Sequence, residues 1–464
     1  MPHTVVVGGG LAGISAALAC ADAGAKVTLL EKRGRLGGLT WSFTHGGLTM
    51  DNGQHVFLRC CSAYLDFLDR IGSAGDVYLQ PRLDLPVLKA RPGGAPQRAT
   101  LRRDALPAPW HLARSLATFR FVPLAQRARL ALAAAPLARL DLDDPELDQQ
   151  NFEEWLVKHC QGPEALSALW DLICLPTLNL PARQASLAMA AKVFQTGLLT
   201  DAAAADIGWS RLPLGALHGE RAERALKKAG ATVQLGVAAE KVLQSPRGGF
   251  LVSAGGQSID ADAVVVALPH NVVEGVLPEG ALPKGTRPSQ LGSSPIVNVH
   301  VHFDRTVTDL PLAATIGSPA QWIFDRTASS GAGRGQYLAV SVSAAGELAG
   351  ARPDYLGELM AAELRRLFPP AENAKVLATF VTREHQATFS AVPGSAAHRA
   401  PQRSAFPGLA IAGAWTSTGW PPTMESAVRS GILAARAALA GAGQRERLPR
   451  LPQAGKPSQL QEVK

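Results

Sequence analysis

Apolar positions along this chain form three kinds of run, each predicting a different element. Thr4–Val7 is short and β-branched throughout, the pattern of a strand buried on both faces. Ile14–Ala23 is a helical stretch of small and apolar residues that Gly24 ends, and Val27–Leu30 is a second apolar strand closing on Glu31. Further on, "APWHLARSLATFRF", "LAQRARLALAAAPLARL", "NFEEWLVKHC" and "EALSALWDLICLPTL" read as helices broken by prolines. The strands follow in "PIVNVHVHFD", "QWIFD", "QYLAVSVSAA" and "VLATFVTREHQATFS". A last strand, loop and helix occupy Gly408–Leu439, and the stretch from Gly441 lacks apolar periodicity and reads as disordered.

Between the first strand and the first helix, Gly8, Gly10 and Gly13 fall in the G-x-G-x-x-G spacing. The first glycine permits a tight turn, the second lets backbone approach a pyrophosphate, and the third allows close packing of helix on strand. The helix N-terminus then faces the phosphates. Glu31 ends the second strand, where a carboxylate can accept hydrogen bonds from a ribose diol and would repel the 2′-phosphate of NADP. A glycine turn alone is weak evidence; strand, helix, strand and acid at these distances make a dinucleotide site.

Composition narrows the class without changing it. The 464 residues are 47% hydrophobic and 18% charged, enough for a large core in two or three domains. Five cysteines, including the adjacent Cys60 and Cys61, show neither a disulfide framework nor zinc spacing, which predicts reduced thiols in a cytosolic chain and no metal site. Only His3 precedes the glycines, which argues against a signal peptide, and Thr4–Ala21 is better read as strand, turn and helix than as a bilayer span. The net charge of +8 is concentrated: Leu101–Leu140 holds seven arginines against Asp104 alone.

Arg35, Gly37 and Gly38 add an R-x-G-G turn after Glu31, and "GLTMDNGQHVF" follows. The string Gly8–Gly38 resembles the FAD-binding signature of the amine oxidase and phytoene desaturase superfamily. "RLPLGALHGERAERALKKAGATVQLGVAAEKVLQSPRGGFLVSAGGQSIDADAVVVALP" and "GLAIAGAWTSTGWPPTMESAVRSGILAARAAL" resemble its second and third FAD pieces. The resemblance implies an α/β fold: a Rossmann-type FAD domain assembled from residues 1–79, 201–269 and 403–440, and an α+β substrate domain from residues 80–200 (helical cap) and 270–402 (mixed sheet), with a tail at 441–464. It implies FAD contacts at Gly8, Gly10, Leu11, Ala12, Gly13, Glu31, Lys32, Arg35, Gly38, Leu39 and Thr40. Gly53, Gln54, His55, the Val237 backbone at the adenine, Gly413, Trp415, Thr423 and Met424 complete that set. Relatives usually carry Gly-Asp where this chain has Gly413-Ala414, a loss of about 1 kcal/mol for one hydrogen bond.

"TWSFTHGGLTMDNGQHVFLRCCSAYLDFLDRIG" and "AGAWTSTGWPPTMESAVRSG" are similar to the hydroxysqualene dehydroxylases of bacterial squalene and hopanoid biosynthesis. That resemblance implies a reduction: hydride from flavin N5 to an allylic carbon of a C30 alcohol, with loss of water. Hydroxide leaves poorly, so a proton donor is needed beside the flavin, and His55 is the first candidate. Asp51 reads as a turn former, Glu425 as a capping or dipole-compensating acid, and His300 and His302 as sharing one strand face turned to solvent or to substrate. A carotenoid desaturase or an amine oxidase stays open as a rival, as does a flavin-binding carrier without catalysis. No second nicotinamide fingerprint is present, so the electron donor is unassigned.

Pro107–Leu140 interleaves its arginines with Trp110, Leu112, Leu116, Phe119, Phe121, Leu124, Leu130 and Leu132. This basic amphipathic pattern suits docking on an anionic membrane, placing a cytoplasmic protein peripherally on the inner face of the cell membrane. The rival is a solvated helix face with leucines in the core. No nucleic-acid motif accompanies the charge.

Overall fold

Continuous β-branched runs leave no polar face, and the computed structural model buries them in a five-stranded parallel sheet; it describes residues 1–91, 94–444 and 448–451. The strand order is Thr232–Leu235, Lys26–Glu31, His3–Val7, Ala263–Val266 and Leu409–Ile411. Val5 and Val7 face one core and Val6 the other, all at most 2% exposed, which is why the run does not alternate. Three distant parts of the chain thus share one sheet. Parallel strands need crossovers: helix Leu11–Asp22 supplies the first, beginning directly after Gly10 rather than at Ile14. Helix Met424–Gly441 lies on it, with Gly431 so close that a Cβ would sit 2.2 Å from Ala12 O.

The second sheet has seven strands, in the order Val376–Thr388, Ser294–Phe303, Gln336–Val342, Trp322–Asp325, Leu312–Thr315, Asp84–Arg91, Gly94–Arg102. It is mixed, because Leu312–Thr315 runs parallel to Asp84–Arg91. Helix Pro353–Leu367 covers one face, where Val297, Val299, Val301, Leu338, Leu356, Met360 and Leu364 form a core. The hairpin Asp84–Arg102 corrects the expectation that residues 80–200 are helical: the short apolar run Leu85–Leu88, buried throughout, forms a strand with partners on both sides.

The cap is built from helices Leu124–Leu137, Phe152–Lys158, Asp171–Leu178 and Leu187–Phe194, whose buried residues join one core with Val5 and Val7. A small sheet of Val56–Leu58, Ile207–Ser210 and Val77–Leu79 ties the chain before the cap to the chain after it. The closing helix runs through Gly441, where the sequence reading began a tail; residues 445–447 and 452–464 of that stretch lie outside the described residues.

Candidate FAD and active site

Backbone geometry at the carboxyl end of the parallel sheet makes room for phosphate. Gly8 has φ +105°, and a Cβ there would meet Ala267 O at 2.4 Å; one on Gly13 would meet Gly8 O at 1.8 Å. These two glycines let helix and strand touch. Gly10 differs: its Cβ would find only Gly38 Cα, at 3.8 Å, so the space in front of it is open. No side chain caps the helix, whose first internal bond is Ile14 N–H to Gly10 O. The amides of Leu11, Ala12 and Gly13 are therefore the unsatisfied donors that an anion would take.

The R-x-G-G turn locks onto the first turn. Gly37 N donates to Gly9 O at 2.8 Å, and a Cβ on Gly38 would sit 2.9 Å from Gly10 Cα. Arg35 Nη1 donates to Gly38 O at 3.1 Å, and its guanidinium lies 4.2 Å above Trp41. Burial and neighbouring Arg33 push Arg35 down to about 10, which leaves it cationic at neutral pH beside the glycine turn. Thr40 Oγ1 closes the turn on Gly37 O, Leu39 is exposed, and Lys32 is exposed next to Glu31.

Glu31 does more than the spacing implied. Its Oε2 accepts from Gly9 N at 2.6 Å and its Oε1 from Arg33 N at 2.7 Å, so the carboxylate shapes the glycine turn with oxygens that can also accept a ribose diol. The Val237 amide is already spent on Glu31 O at 3.0 Å, which leaves its carbonyl for an adenine edge. Among the C-terminal residues, Gly413 adopts φ +145° and donates to Ser430 Oγ. Trp415 is 4% exposed with its indole donating to Leu268 O, so its side chain supports the loop from behind. Thr423 Oγ1 caps the closing helix by accepting from Ser426 N, leaving Met424 in its first turn. At Ala414, where an aspartate is missing, the carbonyl accepts from Ser426 Oγ.

The acids and histidines sort differently from the sequence reading. Asp51 is no mere turn former: buried, it accepts from Ser42 Oγ, Leu214 N and Arg326 Nη2, the last at 3.1 Å. Glu425 caps a helix other than its own, accepting from Ala63 N and Tyr64 N of Ser62–Arg70 while pairing with Arg429. Burial outweighs those partners and raises its carboxyl. His300 is buried between Tyr337 Oη and Thr382 Oγ1, and desolvation pushes it down to about 3, while His302 bonds Arg334 O nearer the surface.

His55 is half-buried, with Nδ1 3.1 Å from Gly53 O. Burial lowers it, opposed by the Gly53 carbonyl and by Asp51, so at neutral pH the neutral ring donates from Nδ1 and presents Nε2 as an acceptor. Beside it Gln54 Nε2 is buried without a partner. His55, Gln54, Asp51 and Arg326 line a narrow pocket, and Trp209 and Pro311 line both it and a cavity of about 690 Å³ walled by Tyr78, Gln80, Arg82 and Leu312. No group of three or more metal-ligating side chains occurs among the described residues.

Open space at Gly10, uncapped amides, a carboxylate at the end of the second strand and a cation over the turn fit one cofactor class. The chain is an FAD-dependent oxidoreductase of the Rossmann-type α/β fold. It belongs to the flavin containing amine oxidoreductase family, which matches residues 11–439. It is 27% identical to a hydroxysqualene dehydroxylase of Zymomonas mobilis over 451 residues, 95% of this chain and 99% of the relative, and equally to one of Rhodopseudomonas palustris. A zeta-carotene desaturase of Synechocystis is 22% identical, covering 94% and 97%. Among solved structures, cyclohexylamine oxidase from Brevibacterium oxydans superposes with TM-score 0.70 at 18% identity, over 96% of this chain and 99% of that one. Putrescine oxidase gives 0.68 at 20%, over 95% and 99%.

Proposed function

We propose that this enzyme removes the hydroxyl of hydroxysqualene to give squalene, in squalene and hopanoid biosynthesis. The carrying observation is the similarity to hydroxysqualene dehydroxylases over 95% of the chain, at higher identity than to the zeta-carotene desaturases matched over a similar length. Reduced flavin supplies the hydride in such a reaction. In this reading the chain's task is to hold the cofactor, enclose an apolar C30 chain and deliver one proton to the departing oxygen. Gly8–Gly13 and Arg35–Thr40 bind the pyrophosphate, Glu31 and Val237 the adenosine, and Gly53–His55 with Gly413–Met424 flank the ring. His55 can deliver a proton only after taking one up at Nε2, and its burial makes that form scarce at neutral pH.

We further propose peripheral contact with an anionic membrane on the cytoplasmic side. Trp110, Leu124 and Leu132 are 65%, 74% and 53% exposed, an apolar set that no core residue covers, beside exposed Arg114, Arg120 and Arg129. Phe119, Phe121 and Leu130 instead enter the core, and Arg127 bonds Val122 O and Ala117 O. No helix among the described residues is long and apolar enough to cross a membrane.

The deciding experiment is anaerobic: dithionite-reduced protein is mixed with hydroxysqualene and the product analysed. One squalene per flavin reoxidised supports the reading. Amine turnover with release of hydrogen peroxide would assign an amine oxidase instead.

A further inference from the structure

The seven-stranded sheet turns toward the parallel sheet a carboxyl group that the reading above leaves unused. On the edge strand Val376–Thr388, Thr382 and Glu384 alternate onto one side, and the register then shifts between Glu384 and Thr388. Thr382 Oγ1 donates to Asn52 O at 2.8 Å, and Gln386 Oε1 accepts from Asn271 Nδ2 at 2.7 Å. Asn52 precedes Gly53, and Asn271 lies in the loop leaving strand Ala263–Val266, so these contacts bracket the crevice at the carboxyl end of the parallel sheet, with Glu384 between them. There Glu384 Oε2 lies 3.5 Å from Asn52 Nδ2, and Glu384 belongs to no ion pair among the described residues.

A second observation points to a ligand at this place. The register pairs Ile296 with Glu384 and Asn298 with Thr382, which makes Asn298 and Glu384 diagonal neighbours on one face, roughly 7–8 Å apart. Asn298 is 1% exposed; its Nδ2 donates to Asn52 O at 3.2 Å, yet its Oδ1 has no partner. Burying an amide oxygen without a donor is costly, and a ligand O–H placed there would remove that cost. A Cβ on Gly53 would lie 3.3 Å from Asn298 Nδ2 and 3.9 Å from this oxygen, which puts the Asn298 amide against the Asn52–Gly53 turn.

We infer that Glu384 is the general acid of the dehydroxylation and that Asn298 Oδ1 accepts the hydrogen bond of the substrate hydroxyl, an assignment that rests on the dehydroxylase reading. The step balances once Glu384 has taken up a proton from solvent: the allylic C–O bond breaks, the carbon gains the hydride that reduced flavin would supply, and the Glu384 proton converts the departing hydroxide to water. Carbon is reduced by two electrons, flavin is oxidised by two, and the carboxylate regains its proton from solvent.

Glu384→Gln keeps the shape and the Asn52 contact but has no acidic proton. In anaerobic single turnover it should form squalene about 10²- to 10⁴-fold more slowly than the parent while retaining FAD at parental affinity, and Glu384→Asp should recover part of the rate. Independently of turnover, FAD-free protein should bind hydroxysqualene more tightly than squalene by tryptophan fluorescence, and Asn298→Ala should abolish that preference. A near-parental rate in Glu384→Gln, or loss of FAD from it, overturns the assignment of the acid. An unchanged preference in Asn298→Ala overturns that of the acceptor. A parent that forms no squalene overturns the dehydroxylase reading and both assignments with it.

Discussion

Gly10 and Gly13 occupy one motif for opposite reasons, and substitution tells them apart. A side chain on Gly13 collides with Gly8 O, so its absence serves folding; a side chain on Gly10 meets no protein atom closer than 3.8 Å, so its absence serves a ligand. Gly10→Val should therefore fold with parental circular dichroism and purify without flavin absorbance. Two buried histidines make a different prediction. Tyr64 Oη lies 2.7 Å from His218 Nε2 and Tyr337 Oη 2.5 Å from His300 Nδ1, and desolvation pushes both rings down to about 3. Between about pH 6.5 and 3 the unfolded chain binds protons that the folded protein refuses, so stability is present above that window and lost as pH falls through it. The slope is about 1.4 kcal/mol per pH unit for each ring. Urea midpoints from pH 6.5 to 4 should fall accordingly, and more shallowly in His300→Asn.

At the scale of elements, the third FAD piece joins the first through two helices that nearly touch. Gly431 against Ala12 O at 2.2 Å leaves no space for a methyl group, so Gly431→Ala should cost about 1–3 kcal/mol and weaken FAD binding, read by thermal unfolding and flavin titration. The hairpin of Ser42–His45 and Leu48–Asp51 meets the substrate sheet through the buried Asp51–Arg326 pair. Removing one partner strands the other: Asp51→Ala should lose about 3–5 kcal/mol in denaturant unfolding. Replacing both, in Asp51→Ala with Arg326→Met, should lose less than the single change.

For the whole molecule, the membrane proposal requires the exposed arginines to act together with Trp110, Leu124 and Leu132. The protein should sediment with anionic liposomes at low salt and be released as ionic strength rises, because the screening length is roughly 10 Å at 0.1 M. Arg114→Gln, Arg120→Gln and Arg129→Gln combined should reduce binding, whereas Arg127→Gln should chiefly lower stability, since that guanidinium holds the Val122 and Ala117 carbonyls. Parental liposome binding by the triple variant would leave those arginines as a solvated helix face.

What could be read along the chain was local: an unbroken β-branched run marks a buried strand by itself, and the glycine turn with Glu31 needs only a strand and a helix within about thirty residues, as in any βαβ unit. Thr4–Val7, Ile14–Ala23, Val27–Leu30 and the strands of residues 294–388 all correspond to elements of the structure, with ends moved by one to three residues. The hairpin Asp84–Arg102 was not legible, because what joins it to the seven-stranded sheet is a neighbour more than 200 residues away, Leu312–Thr315, paired with Asp84–Arg91. The partners of Asp51 and Glu425 were hidden for the same reason, lying 275 and about 360 residues off. Glu384 and Asn298 carry no motif at all: strand alternation shows that each has a face, but only the packing of one sheet across the end of another says what that face meets. Local sequence sets backbone geometry through sterics and propensity, whereas the pairing of charges and the convergence of polar groups depend on contacts between distant segments, which exist only once the chain has folded.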